Sequence, residues 1–247
     1  MFDLRGRVAL VTGAGRHVGL AIAEALARQG AAVAINDVVA DRAHAAAEGL
    51  ARTGAQALAV PADMTDLGAV EEAVAAVGSQ LGPVDILVSN AGNAGAAPAL
   101  PTPFLDMAPG DWHRYIDINF YAVLNGIHAV LPGMCRRNHG RIITISSDAG
   151  RAGVGMGMSV YSGGKAAAMG FQRSLACEVG PQQVTVNTIA LGLVPGDWDA
   201  GSPDKIPLGR FGTPDDVGPA AVFFASDEAG WVTGQVLSVN GGYFRNL

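Results

Sequence analysis

Apolar residues follow two rhythms along the chain. Short β-branched or aliphatic runs at 7–12 (RVALVT), 32–37 (AVAIND), 57–61, 84–88, 140–146, 184–190 and 235–239 predict strands. Longer stretches at 17–29, 40–53, 67–80, 111–137, 160–179 and 214–226 predict helices. In the first of these, Val18, Ala21, Ile22, Ala25 and Leu26 recur at helical spacing up to Gly30, a residue suited to a helix C-terminus. Regular alternation of strand and helix predicts an α/β domain: a doubly wound parallel sheet of about seven strands, covered by helices on both faces, with ligands beyond the carboxyl ends of the strands. Asp37, Asp63, Asn90 and Ser147 each fall at or just after a predicted strand end, so one face of the sheet collects the polar candidates.

Composition narrows the classes. At 247 residues and 49% hydrophobic, the chain can bury the core of one domain spanning 1–247, and no linker, repeat or low-complexity tract divides it. The alanine-rich part, 40–57, reads as a plain helix and its exit. No basic-then-apolar leader opens the chain and no apolar run reads as long enough to span a bilayer, so no membrane partner is expected. A formal charge of −6, without a basic stripe interleaved with aromatics, argues against nucleic acid. Cys135 and Cys177 form neither a disulfide framework nor a metal-ligand pattern; they read as buried or semi-buried fillers of a cytoplasmic protein, and no metal is expected.

Two constellations carry candidate chemistry. Tyr161 and Lys165 stand one helical turn apart, on one face. An ammonium beside a phenol favours the phenolate and lowers its pKa from about 10, which suits proton exchange with a carbonyl or alcohol. The turn Gly13-Ala14-Gly15-Arg16-His17-Val18-Gly19 lies between the first strand and the first helix, where free N–H groups and the helix dipole face an anion such as a pyrophosphate. The second strand ends in Asp37, at the separation where a carboxylate meets the adenosine ribose of a dinucleotide.

These segments, in their order, resemble the short-chain dehydrogenase/reductase family over essentially the whole chain. The likeness rests on the turn at 12–19, Asp63, Ser89-Asn90-Ala91-Gly92, Asn119, Ser147, Tyr161 with Lys165, Val186-Asn187 with Leu191-Gly192, and the terminal 234–242 segment. It implies a single-domain Rossmann fold and hydride transfer between a secondary alcohol and a ketone. By resemblance Tyr161 is the general acid or base. Lys165 lowers its pKa and holds the nicotinamide ribose. Ser147 donates to the substrate oxygen, with Ser146 as its rival for the site-facing position. Asn119 either holds a water that relays protons towards Lys165 or is a polar helix residue bonded to backbone. The implied dinucleotide residues are Gly13, Gly15, Arg16, His17, Val18, Gly19, Asp37, Asp63, Met64, Asn90, Ala91, Gly92, Tyr161, Lys165, Gly192 and Val194. Asp37 favours NAD and repels the 2′-phosphate of NADP; Arg16 either serves such a phosphate or pairs with an acid, Asp37 included. Asp63 either bonds the adenine amino group or caps its own turn.

The chain departs from the family pattern at four places. His17 replaces the middle glycine of the turn; it fits if φ stays negative, with its ring turned outward or towards a phosphate. Ser89 replaces an asparagine, Leu191 a proline, and Gly196 a threonine that bonds the nicotinamide carboxamide. The substrate loop near 193–206, which contains Trp198, is short and suits an open pocket. The 150–158 stretch, with Met156 and Met158, forms either the other wall or a subunit boundary. Segments 82–88, 128–134 and 206–216, with Ser147-Asp148-Ala149, look most like 3-oxoacyl-thioester reductases (acyl carrier protein or CoA) and hydroxyacyl-CoA dehydrogenases. The expected substrate is therefore a 3-oxoacyl or 3-hydroxyacyl thioester; the alternatives are a free alcohol or ketone (polyol, steroid or terpenoid), or a non-catalytic nucleotide-binding homologue. By resemblance, and because the 111–137 helix is apolar on more than one face, a homotetramer or homodimer is expected. Tyr243 and Phe244 either close a neighbour's pocket or pack in their own subunit.

Overall fold

The structure, a computed structural model, describes residues 1–92, 101–155, 157–196 and 201–245. Seven parallel strands form one sheet: β1 (Val8–Val11), β2 (Ala32–Ile35), β3 (Ala57–Ala59), β4 (Ile86–Ser89), β5 (Gly140–Ser147), β6 (Val184–Leu191) and β7 (Val236–Val239). Their order is β3-β2-β1-β4-β5-β6-β7, so the winding reverses between β1 and β4. The crevice above those two strands is where an open α/β sheet accepts a ligand.

Strand periodicity divides the core between the two faces. Ala9, Val11, Val33, Ile35, Ile86, Val88, Ile143 and Ile145 point to the side covered by α1 (His17–Arg28), α2 (Ala40–Arg52) and α7 (Gly218–Ala225). Their neighbours Val8, Leu10, Ala32, Ala34, Leu87 and Ile142 point to the other side, under α3 (Leu67–Gln80), α5 (Ala122–Arg137) and α6 (Ser159–Val179). With both faces buried, the central strands read as continuous apolar runs, which is why they were legible as strands.

The predicted helix at 111–137 is compound. It consists of α4 (Trp112–Ile116), a π turn (Asp117–Tyr121) and α5, with Pro132 inside α5. The helix predicted at 214–226 starts instead with a 3-10 turn, Pro214–Asp216, closed by a reciprocal Thr213–Asp216 capping box. By length and composition the run Pro109–Arg137 could span a bilayer, which corrects the expectation that no such run exists. Val123, Ile127, Val130 and Met134 of this run are packed on the sheet, and the core helix of a globular domain passes the same test. Cys177 is exposed, contrary to its reading as a filler, whereas Cys135 is partly buried.

The sheet's far edge depends on one buried amide. Asn187, 1% exposed, donates to Val232 O at 2.7 Å and accepts from Gln235 N at 3.1 Å, fixing the chain that leads into β7. Removing it leaves a buried donor and acceptor unpaired, so Asn187→Ala is expected to cost about 2–4 kcal/mol in urea unfolding. A loss below ~0.5 kcal/mol would refute this role for the side chain.

Candidate active site

The turn after β1 approaches its neighbours too closely for side chains. A Cβ added at Gly13 would lie 2.9 Å from Ala91 Cα, and one at Gly15 would lie 2.6 Å from Asp37 Oδ2 and 2.7 Å from Arg42 Cβ. A Cβ at Gly19 would collide with Gly13 O. Asn90 fastens the turn to β4, donating from Nδ2 to Thr12 O (2.9 Å) and Gly13 O (3.0 Å), while Thr12 Oγ1 accepts from the N–H groups of Asn90 and Ala91. Helix α1 then starts at Arg16, which contributes no capping side chain, and no acid stands in its first turn. Backbone N–H groups presented in a side-chain-free cradle, at a positive dipole end, fit a pyrophosphate. These residues therefore fit the dinucleotide implied by the sequence.

At the adenosine side, Asp37 is buried. Its Oδ2 accepts from Gly15 N (3.3 Å) and its Oδ1 from Val39 N (2.9 Å). The guanidinium of Arg42, in the first turn of α2, has its Nε 3.8 Å from Oδ1. Arg42 was missed in the sequence because helical spacing, not a motif, brings it back over the end of β2. Asp63 Oδ1 accepts from Thr65 N (2.9 Å) and Thr65 Oγ1 (2.8 Å), while Met64 is buried beneath Gly126. Val18 is partly buried in α1.

The proton-transfer candidates converge. Ser147, at the end of β5, stands beside Tyr161, in α6, close enough for its hydroxyl to favour the phenolate. Ser146 turns away and donates to Lys165 O at 3.3 Å. Lys165 is buried; its Nζ donates to Ile145 O at 3.0 Å and lies 5.9 Å from the centre of the Tyr161 ring. The π turn buries Asn119, whose Nδ2 donates to Tyr115 O at 2.8 Å. A Cβ at Gly92 would lie 2.8 Å from Lys165 Nζ and 3.1 Å from Asn119 Oδ1, so Gly92 is what lets these two groups share one space. Nothing in the sequence announces the π turn, although such turns recur at functional sites.

The expected lowering of the Tyr161 pKa is corrected. Burial pushes the phenol up, offset in part by Ser147, while the Lys165 ammonium donates to a backbone carbonyl. Burial pushes Lys165 itself down, to about 8. His17 is also corrected: its φ is 50°, and its ring lies against Gly196. Trp198 and Met156 lie outside the described residues.

A buried network lies beside Ser147. Asp148, next to Ser147 and 1% exposed, accepts from Ser238 Oγ (2.9 Å) and Asn240 Nδ2 (2.5 Å), and Arg151 donates to Ser238 Oγ (2.5 Å). Asn240 in turn packs on Gly192, where a Cβ would lie 2.6 Å from Asn240 Cβ, and Gly192 N donates to Val239 O at 3.0 Å. Beyond Gly192, Val194 packs on Gly212. This carboxylate was missed as a site residue; its place directly after Ser147 was the available signal. Around Tyr161, the side chains of Tyr115, Met107, Ala149, Met158 and Val160 form an apolar wall. Thr102 N donates to Gly157 O at 3.2 Å and joins the two loops of that wall. Among the described residues no group of three His, Cys, Asp or Glu side chains could hold a metal ion.

Residues 13–244 match the family model described as enoyl-(acyl carrier protein) reductase. The chain is 40% identical to the acetoacetyl-CoA reductase of Shinella zoogloeoides, over 96% of this chain and 98% of that one. Among solved structures it superposes on a gluconate 5-dehydrogenase from Burkholderia cenocepacia J2315 in complex with NADP and tartrate (TM-score 0.91, 32% identity, 98% of this chain and 96% of that one). It superposes equally on a 7α-hydroxysteroid dehydrogenase complexed with NADH and 7-oxo glycochenodeoxycholic acid (TM-score 0.91, 34% identity, 100% and 97%).

Burial of Lys165 has a measurable consequence. With a folded pKa of about 8 against 10.5 for an ordinary lysine, the folded state binds fewer protons than the unfolded chain in between. The penalty is full below about pH 8 and fades as the pH rises, so stability climbs with pH in that window. Lys165→Met, without added nucleotide, is expected to be more stable than the parent at pH 7 by on the order of 1–3 kcal/mol, the gap closing towards pH 9.5. Keeping below pH 10 avoids Tyr161, whose raised pKa lowers stability at higher pH. Parallel stability–pH curves for the two proteins would show that Lys165 is not penalised.

Proposed function

The chain belongs to the short-chain dehydrogenase/reductase family, and from that premise we propose that it interconverts a 3-oxoacyl and a 3-hydroxyacyl thioester with NAD(H). The observation that carries the chemistry is the placing of Ser147, at the end of β5, beside Tyr161, with buried Lys165 behind the ring. When bound, the nicotinamide dinucleotide supplies or accepts the hydride. In the reducing direction Tyr161 gives its hydroxyl proton to the carbonyl oxygen, and Ser147 donates a hydrogen bond to the same oxygen as charge develops there. Lys165, with a water held by Asn119 beside Gly92, then passes a proton from solvent to the phenolate. In the oxidising direction the phenolate takes the alcohol's proton.

Asp37 supports NAD. Held by two backbone N–H groups, it presents a fixed carboxylate to ribose hydroxyls and repels a 2′-phosphate; the competing NADP reading draws on Arg42 and Arg16. The apolar wall of Met107, Met158, Ala149 and Val160 supports an acyl substrate. The likeness to a hydroxysteroid and a gluconate dehydrogenase supports the second reading, a free alcohol or ketone. A homotetramer or homodimer is part of the proposal, supported by exposed Tyr121, Trp231 and Leu237, as is a reducing, cytoplasmic setting, supported by two free cysteines.

Titration with NADH and NADPH, followed by turnover of acetoacetyl-CoA and of simple ketones, tests this. NADH is expected to bind more tightly than NADPH, and the thioester to be reduced. Tighter NADPH binding would replace the cofactor, and turnover of free ketones alone would replace the substrate. Tyr161→Phe is expected to lower kcat by about 10²–10⁴-fold with NADH affinity unchanged. Parent-like turnover by that variant would remove Tyr161 from the proposed role.

A further inference from the structure

His17 and Gly196 meet across the mouth of the dinucleotide cradle. His17 opens α1 at φ 50°, a backbone conformation that costs a histidine energy and a glycine none. A Cβ built on Gly196 would lie 3.6, 3.8 and 3.9 Å from Cε1, Nε2 and Nδ1 of the His17 ring. Three ring atoms at nearly equal distance place the imidazole face over that direction. The bare Cβ would make ordinary contact, but the γ atoms of a β-branched residue would have to displace the ring. The ring therefore fills the space that a side chain at 196 would otherwise claim. In the chain, His17 follows directly on the turn of Gly13 and Gly15 and stands in the first turn of α1 with Gly19, where side chains are excluded and the helix dipole favours an anion. Strained side-chain positions of this kind persist where the surroundings over-determine them, and they cluster at ligand clamps.

We propose that His17 is a side-chain ligand of the dinucleotide's pyrophosphate, held in place by its left-handed backbone and by the missing side chain at 196. The two positions form an exchange pair: the His17 ring takes the space that glycine at 196 leaves open. An imidazole carries at least one N–H in either protonation state, and a phosphate oxygen is a charged acceptor that strengthens such a bond. The proposal rests on dinucleotide binding and is independent of the choice between NAD and NADP.

Calorimetric titration of the parent, His17→Gly, Gly196→Thr and the double variant with NADH, NADPH, ADP and adenosine tests it, with Tm recorded for each. His17→Gly is expected to keep or raise Tm, because glycine relieves the strained φ, yet to weaken NADH and ADP binding about tenfold while leaving adenosine unchanged. Gly196→Thr is expected to weaken binding in the parent by pushing the ring aside, and to restore part of it in the His17→Gly background. His17→Asn, which tolerates the left-handed φ and keeps a donor, should fall between parent and His17→Gly. Parent-like or tighter NADH binding by His17→Gly overturns the proposal while leaving dinucleotide binding intact. Equal losses for ADP and adenosine overturn the phosphate contact, and additive losses in the double variant overturn the exchange. A parent that binds neither NADH nor NADPH overturns the dinucleotide reading and this proposal with it.

Discussion

The closeness of the turn after β1 to the ends of β2 and β4 sets the positions of almost every polar group in the site. Gly13 faces Ala91 with no room for a Cβ, Gly15 faces the Asp37 carboxylate, and Gly19 faces the carbonyl of Gly13. Only backbone can occupy such gaps, so the turn offers N–H groups instead of side chains. Thr12 and Asn90 lock the approach with four hydrogen bonds to backbone groups. The chain that runs on from Asn90 through Ala91 then delivers Gly92 to Lys165 and Asn119. One short segment thus joins the phosphate cradle to the proton-transfer groups, and a shift in either would be felt by the other.

Stability is given up at the centre of this arrangement. Lys165 is buried with a backbone carbonyl as its acceptor, and Tyr161 is buried against an apolar wall. Both neutral forms are favoured in this environment, with the lysine held down at about 8 and the phenol held up. A lysine near that value is poised to exchange protons under ordinary conditions, which a fully solvated lysine is not. The Asp148–Ser238–Asn240 network carries a buried carboxylate of its own, but this one has its hydrogen bonds met, and it ties the end of β5 to the end of β7. Paired in this way, a buried charge fixes geometry.

The proposed role of His17 belongs to the same picture. A cradle built from glycines positions an anion by backbone alone. A side chain admitted at its rim must take an unusual backbone angle and must find empty space opposite, and His17 with Gly196 meets both conditions.

The sequence by itself determined the strands, the helices that alternate with them, the positions of Ser147, Asp37 and the glycine turn at strand ends, and that of Tyr161 and Lys165 one turn apart on a helix. These rest on local periodicity and on fixed offsets along one element, which neighbours in space do not alter. Only the tertiary structure decided the rest. It buried Tyr161 and so reversed the expected shift of its phenol, and it turned Lys165 Nζ towards Ile145 O. It folded Asn119 into a π turn, brought Arg42 over Asp37, and laid Asp148 against Ser238 and Asn240. It also placed His17 beside Gly196 with a positive φ. Each of these depends on how segments remote in sequence share one small volume: burial sets a pKa and close approach sets a backbone angle, and neither quantity is a property of a residue and its immediate neighbours in the chain.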